Sequence, residues 1–67
     1  MSMQYFIEVR GSFDSRILWR LIKGPGVNLL DLDDVVLVYG EVPEDRLDYI
    51  LTTCSTFGDC IATIRRR

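Results

Sequence analysis

The fold is decided in the middle of the chain, by the stretch VNLLDLDDVVLVYGEV at residues 27–42. Its two halves, residues 27–32 and 35–42, are rich in β-branched residues, leucine and tyrosine, which favours two strands. Asp33 and Asp34 between them tolerate the unusual φ values of a tight turn. The stretch therefore predicts an antiparallel hairpin. A two-residue turn would align Leu30 with Leu37, whereas a bulge would change that register.

A strand and a helix are predicted before the hairpin. Residues 4–10 alternate with a period of two, as a strand does, and Gly11 and Ser12 end it. Residues 13–23 have helical spacing, with Ser12 as the predicted N-cap. The apolar stripe expected to face the core consists of Phe13, Ile17 and Leu21, widened by Leu18 and Ile22. The helix should end at Lys23-Gly24-Pro25-Gly26, where a cation, glycine and proline occur together.

A second helix and a last strand are predicted after the hairpin. Pro43 suits a helix start because its missing N–H costs nothing there. The apolar stripe that follows is Leu47, Ile50, Leu51 and Cys54, and Gly58 is the expected C-terminal cap. Residues 60–65 form a short strand. The order strand, helix, strand, strand, helix, strand predicts a ferredoxin-like α+β domain, with a four-stranded antiparallel sheet and two helices on one face.

Composition limits the classes of protein to consider. The chain has 67 residues, of which 48% are hydrophobic and 27% charged, with no histidine and a net charge of -2. We expect a single domain over residues 1–67, neither disordered nor coiled-coil. No apolar run is long enough for a membrane span, and Glu8 and Arg10 interrupt the apolar residues near the start, so we expect a soluble, cytoplasmic protein. Without histidine the usual general base is missing, so we expect no enzyme, cofactor or metal site.

Residues 26–64 resemble the second half of heavy-metal-associated and ACT-type domains. The resemblance is carried by Gly26-Val27, Val38-Tyr39-Gly40-Glu41-Val42, Leu47, Ile50, Leu51 and Gly58. It implies a ferredoxin-like fold and, from the ACT-type relatives, a small effector bound at a subunit interface. The metal-binding version carries Gly-Met-x-Cys-x-x-Cys after the first strand. Asp14 and Ile17 occupy the two thiol positions here, so metal transport is not carried over.

The predicted sheet has apolar side chains on both faces. A sheet with helices on one side normally shows water a polar second face. Here Phe6, Leu37 and Tyr39 are expected on the face without helices, and monomers rarely expose large apolar patches. We therefore expect this face to be an interface, most simply in a two-fold homodimer. A larger protein complex is a further possible partner, and a monomer with an apolar sheet face is the alternative.

The loop before the first helix is a candidate ligand site. Amide groups at a helix start can hold an anion, and hydroxyl groups lie nearby. The candidate residues are Gly11, Ser12, Asp14 and Ser15. A small-molecule ligand would be sought at this loop or at the subunit interface.

A basic stripe on the first helix supports an alternative function. Arg16, Trp19, Arg20 and Lys23 stand at positions i, i+3, i+4 and i+7, which places them on one side of a helix. A tryptophan among cations can stack on a nucleobase, so this stripe and residues 65–67 could bind nucleic acid. The more ordinary interpretation is a solvated face.

Two cysteines, Cys54 and Cys60, are the only thiols. The preferred interpretation is that both are small buried core residues, and the position of Cys54 on the apolar stripe of the second helix supports this. A structural disulfide between them, or a redox role, is the alternative.

Overall fold

The chain folds into an α+β domain, described here from a computed structural model over residues 3–66. The six elements are β1 (Gln4–Gly11), α1 (Ser15–Ile22), β2 (Val27–Asp31), β3 (Val36–Pro43), α2 (Glu44–Phe57) and β4 (Cys60–Arg66). Their order agrees with the order predicted from the sequence. No helix among the described residues is long and apolar enough to cross a membrane.

The four strands form one antiparallel sheet in the order β2-β3-β1-β4. β1 and β3 are central, as predicted, and β2 and β4 are the edges. The hairpin has its two-residue turn, because the Leu32 N–H donates to the Val35 carbonyl at 2.9 Å and Asp33 has a φ of 68°. Leu30 therefore pairs with Leu37, which confirms the register expected for a turn without a bulge.

Both helices pack on the same sheet face. The buried cluster joins residues of β1, β2 and β3 to both helices: Ile7, Val9, Val27, Val36, Val38, Val42, Leu18, Ile22, Leu47, Ile50 and Cys54. The predicted stripe of α2 is confirmed, with Leu51 half-buried at its margin. This core is small, as expected for 67 residues, so each fully buried side chain carries a large share of it.

The core-facing side of α1 differs from the prediction. Leu18 and Ile22 are fully buried, whereas Ile17 and Leu21 are 48% and 43% exposed and Phe13 is half-buried. A spacing of four residues identifies one side of a helix but does not decide which of two adjacent apolar stripes meets the sheet. Leu18 and Ile22 have the same spacing of four residues, and they are the pair that packs against the sheet.

The start of α1 is also corrected. Asp14, not Ser12, is the N-cap, and its carboxylate accepts from the amides of Arg16 and Ile17 at 3.1 and 3.2 Å. The helix begins two residues later than predicted because a carboxylate satisfies the free amides of the first turn well. The Ser12 hydroxyl donates instead to the Asp34 carbonyl at 3.4 Å, which ties the loop to the hairpin turn.

Two glycines bring the chain before β2 into direct contact with β3. Gly26 has a φ of 80° and Gly40 a φ of 151°, and the Glu41 N–H donates to the Gly26 carbonyl at 3.1 Å. A Cβ at Gly40 would lie 1.8 Å from the Gly26 carbonyl oxygen, and a Cβ at Gly26 would lie 2.2 Å from the Glu41 carbonyl oxygen. Only glycine fits at either position.

Candidate interaction surface

The sheet face opposite the helices, called the open face below, is set by the strand pairing. Three cross-strand rows compose most of it, and each combines apolar and polar side chains. The first row is Leu30, Leu37, Arg10 and Ile61; the second is Asn28, Tyr39, Glu8 and Thr63; the third is Glu41, Phe6 and Arg65. All three residues predicted for the interface, Phe6, Leu37 and Tyr39, lie here.

The apolar side chains of the open face are large and accessible. Phe6, Leu30 and Tyr39 are 46%, 45% and 41% exposed, and Ile61 is 66% exposed. Leu37 is half-buried between its neighbours. The expectation of an apolar second face needs correction in one respect, because polar residues stand in every row. Phe6, Leu37 and Tyr39 lie on the face expected for them, but the polar residues of β1 and β4 were given too little weight.

The charges of the open face balance. Two carboxylates, Glu8 and Glu41, share the face with Arg10 and Arg65, and Arg10 Nε lies 3.9 Å from a Glu8 carboxylate oxygen. Such an exposed pair adds little to stability. Phe6, Glu8, Thr63 and Arg65 line an open groove of about 460 Å³ between β1 and β4. Aromatic and arginine side chains of this kind are enriched at protein interfaces.

The predicted ligand loop is held by its own hydrogen bonds. Gly11 ends β1, and Ser12 and Asp14 bond within the protein as described above. The Ser15 hydroxyl donates to an Asp31 carboxylate oxygen at 2.7 Å, which crosses from α1 to β2. This bond, with the Asp33 N–H at 3.0 Å, lowers the pKa of Asp31 below its usual value. An anion at this loop would have to displace the Asp14 carboxylate, and the site stays a prediction.

The predicted basic stripe of α1 lies on the protein surface. Arg16, Arg20 and Lys23 are exposed, and Trp19 is 37% exposed. Trp19 and Arg16 line an open groove of about 390 Å³ that reaches the β2 edge at Asn28. No ion pair within residues 3–66 involves the three cations. The structure thus brings the stripe together, as helical spacing requires.

Arg46 is a structural residue that the sequence analysis did not single out. Its guanidinium donates to the Ile22 carbonyl at 2.9 Å and lies 5.2 Å from the centre of the Tyr49 ring. It thereby satisfies a free carbonyl at the end of α1 and joins the two helices. A basic residue in the first turn of α2 gives no sign in the sequence of a contact 24 residues away.

The two thiols have different environments. Cys54 is buried in the core and Cys60 is half-buried at the start of β4, and both are free. Burial, and then the neighbouring Cys60, raise the pKa of the Cys54 thiol to about 11. The interpretation of Cys54 as a small core residue is confirmed, while a disulfide stays a prediction.

Alkylation should separate these thiols. At pH 8, iodoacetamide is expected to modify Cys60 at least about tenfold faster than Cys54, because a thiol with a pKa near 11 is almost entirely protonated and is shielded by the core. Peptide mass spectrometry over time measures both rates. In urea the alkylation rates of Cys54 and Cys60 should become similar. In the native Cys60→Ser variant the fast phase of alkylation should disappear. Equal native rates would contradict the burial of Cys54.

Neither a metal centre nor a known relative guides the assignment. Within residues 3–66 no group of three or more histidine, cysteine, aspartate or glutamate side chains is placed to hold a metal ion. Comparison with protein families, with curated proteins and with solved structures gives no significant match. Function is therefore argued from the surfaces described above.

Proposed function

We propose that this chain is a small non-enzymatic interaction module that associates with itself through the open face. The observation that carries the proposal is the set of exposed apolar residues in register on that face, namely Phe6, Leu30, Tyr39 and Ile61. Burying them against a second copy would remove apolar surface from water. A domain this small has a marginal core, so such burial would add a substantial fraction to its stability.

Charge supports a second copy as the occupant. A two-fold interface brings the same surface together twice, so any net charge on it repels itself. The two carboxylates and two guanidinium groups of the open face cancel, although the whole chain carries -2. Polar residues lie directly across the strands from both aromatic residues, namely Glu41 and Arg65 beside Phe6, and Asn28 and Glu8 beside Tyr39.

The finer assignment of fold belongs to the same proposal. The strand order supports a ferredoxin-like domain of the heavy-metal-associated and ACT-type kind, without the thiols that bind metal in the former. A small-molecule ligand, where one exists, would be sought at the subunit interface or at residues 11–15. A cytoplasmic location is part of this proposal.

Two tyrosines of almost equal exposure provide the test. Tyr39 on the open face and Tyr49 on α2 are 41% and 43% exposed. Tyr39→Ser is expected to weaken self-association at least about tenfold, because aromatic residues near an interface centre carry much of the binding energy. Tyr49→Ser should leave association unchanged. Sedimentation equilibrium over a wide concentration range measures both.

Two outcomes would contradict the proposal. One is a wild-type chain that stays monomeric up to millimolar concentration. The other is an equal effect of the two substitutions on association, once circular dichroism has shown that both variants are folded.

Nucleic-acid binding by α1 is the second candidate. It is favoured by the groove beside Trp19 and by the absence of ion pairs to Arg16 and Arg20 among the described residues. Labelled single-stranded RNA or DNA should then bind more weakly as salt rises, and Arg16→Ala with Arg20→Ala should abolish binding. Fluorescence anisotropy at 50 mM salt is the measurement, with Arg10→Ala on the open face as control. No binding by the wild type would remove this candidate.

A further inference from the structure

Residues 61–64 of the edge strand β4 are exposed on both faces of the sheet, and Ile61 and Ile64 are the large apolar side chains among them. Ile61 points to the open face and is 66% exposed, while Ile64 lies on the helix side and is still 43% exposed. Ala62, also on the helix side, is exposed. The helices therefore shelter β1 and β3 but leave β4 bare.

An edge of this kind is normally protected. Natural proteins guard edge strands with proline, inward charges, bulges or a covering element, because the unpaired backbone groups invite another strand. Residues 60–64, CIATI, contain no charge and no proline, and their pairing with β1 has no bulge. The other edge, β2, has five residues, carries Asp31 at its end and has Trp19 beside it.

We propose that β4 pairs antiparallel with β4 of a second copy, which would continue the sheet from four strands to eight. A two-fold axis perpendicular to the sheet keeps the helices of both copies on one side. The side chains of two opposed residues must then lie on the same face of the sheet. Because side chains alternate between faces along a strand, each even-numbered residue of β4 is opposed by an even-numbered one and each odd-numbered residue by an odd-numbered one. This restriction leaves few registers for a strand of seven residues.

Charge selects one of them. In the register centred on Ala62, Asp59, the residue just before β4 in one copy, lies opposite Arg65 of the other, and the pair occurs at both ends of the contact. Asp59 and Arg65 are both exposed and make no ion pair within residues 3–66. Shifting the centre to Ile61 places Asp59 against Thr63, and shifting it to Thr63 places Arg65 against Ile61. Opposite charges directly across a strand pair stabilise it.

The same register explains the bare helix side of β4. It places Cys60 of one copy against Ile64 of the other and brings the two Ala62 residues face to face. An apolar strip would then run between the two α2 helices, and the Ala62 side chains are small enough for close approach. The exposure of Ala62 and Ile64 in the isolated chain follows directly.

Charge exchange tests the contact. Asp59→Arg and Arg65→Asp each place like charges at both ends, so each should weaken β4 pairing by more than about tenfold. Mixed one to one, the two variants should associate with each other, because both ends of the mixed pair then join opposite charges. The double variant should restore the β4 contact, because both of its ends again join opposite charges. Sedimentation velocity and native mass spectrometry of the mixture give the stoichiometry.

Cross-linking tests the register. Opposed residues of an antiparallel pair have Cα atoms about 4.5–5.5 Å apart, within the range for a disulfide. In the Cys60→Ser background, mild oxidation should link Ala62→Cys rapidly into a covalent dimer. Thr63→Cys is the matched control and should link slowly. The opposite preference would overturn the register in favour of the one centred on Thr63, and no linkage of either variant would overturn the register centred on Ala62.

The β4 contact and the open-face interface can be tested separately. A chain that uses both surfaces forms assemblies larger than a dimer, and Asp59→Arg should reduce them to the dimer held by the open face. A wild-type assembly that Asp59→Arg leaves intact and Tyr39→Ser disrupts would overturn β4 pairing alone. The reverse pattern would overturn the open-face interface alone and support β4 pairing.

Discussion

Gly40→Ala is expected to cause a large loss in the free energy of unfolding. Gly40 has a φ of 151°, where side chains are disfavoured, and an added Cβ would lie 1.8 Å from the Gly26 carbonyl oxygen. The obstacle is backbone, and the Gly26 carbonyl is held by the Glu41 N–H at 3.1 Å, so it has little freedom to move. Strain of this kind costs about 4 kcal/mol or more. A domain of this length has roughly 3–10 kcal/mol in total.

Gly58 provides the matched control for Gly40→Ala. Its φ is 145°, almost the same as that of Gly40, but a Cβ there would meet nothing within 4 Å. Gly58→Ala therefore has the cost of a disfavoured φ but no steric clash, and it should lower the free energy of unfolding by about 1–2 kcal/mol. Urea denaturation followed by circular dichroism gives both values. If the two variants lose the same free energy of unfolding, the close crossing of Gly26 and Gly40 is not a rigid feature of the fold.

Leu18→Ala is expected to lower the free energy of unfolding by about 2–5 kcal/mol, the usual cost of a cavity left by a buried leucine. Leu18 is fully buried between α1 and the sheet, in a core of few residues. Alanine has the highest helix propensity, so the loss comes from packing and not from the helix itself. Thermal and urea denaturation at one fixed protein concentration measure it.

Leu21→Ala on the same helix is the control. Leu21 is 43% exposed, and its replacement should cost less than about 1 kcal/mol. This pair of variants decides between the stripe expected from the sequence and the stripe found in the structure. A larger loss for Leu21→Ala than for Leu18→Ala would restore the sequence-based assignment of the α1 core face.

The order of elements was predictable because each depends on local chemistry. Period-two alternation marks strands, the Asp33-Asp34 turn allows a hairpin without a bulge, and Gly58 ends α2. The pairing of Leu30 with Leu37 was one of two registers left open, and it is the one expected for a turn without a bulge. The faces of β3 were also predictable, because a single strand has only two sides.

The features that bear on function depended more on packing. Ser12 and Asp14 are both good N-caps, and the structure shows that Asp14 caps α1 while Ser12 bonds to Asp34 of the hairpin turn. The use of the open face as an interface stays a prediction, and the sequence analysis gave too little weight to the polar residues in its rows. The exposure of β4 depends on where α2 lies above the sheet, which no pattern within residues 60–66 records.

By itself, the sequence predicted the order of the strands and helices and the turn between β2 and β3, because these follow from backbone geometry and neighbours in the chain. The hairpin register was left open between a turn with and without a bulge, and the structure shows the turn without one. The tertiary structure alone decided which stripe of α1 is buried, that Arg46 reaches the Ile22 carbonyl, that Gly40 must be glycine and that β4 is left bare. Those depend on the distances between elements, and such distances are set only when all the elements pack together.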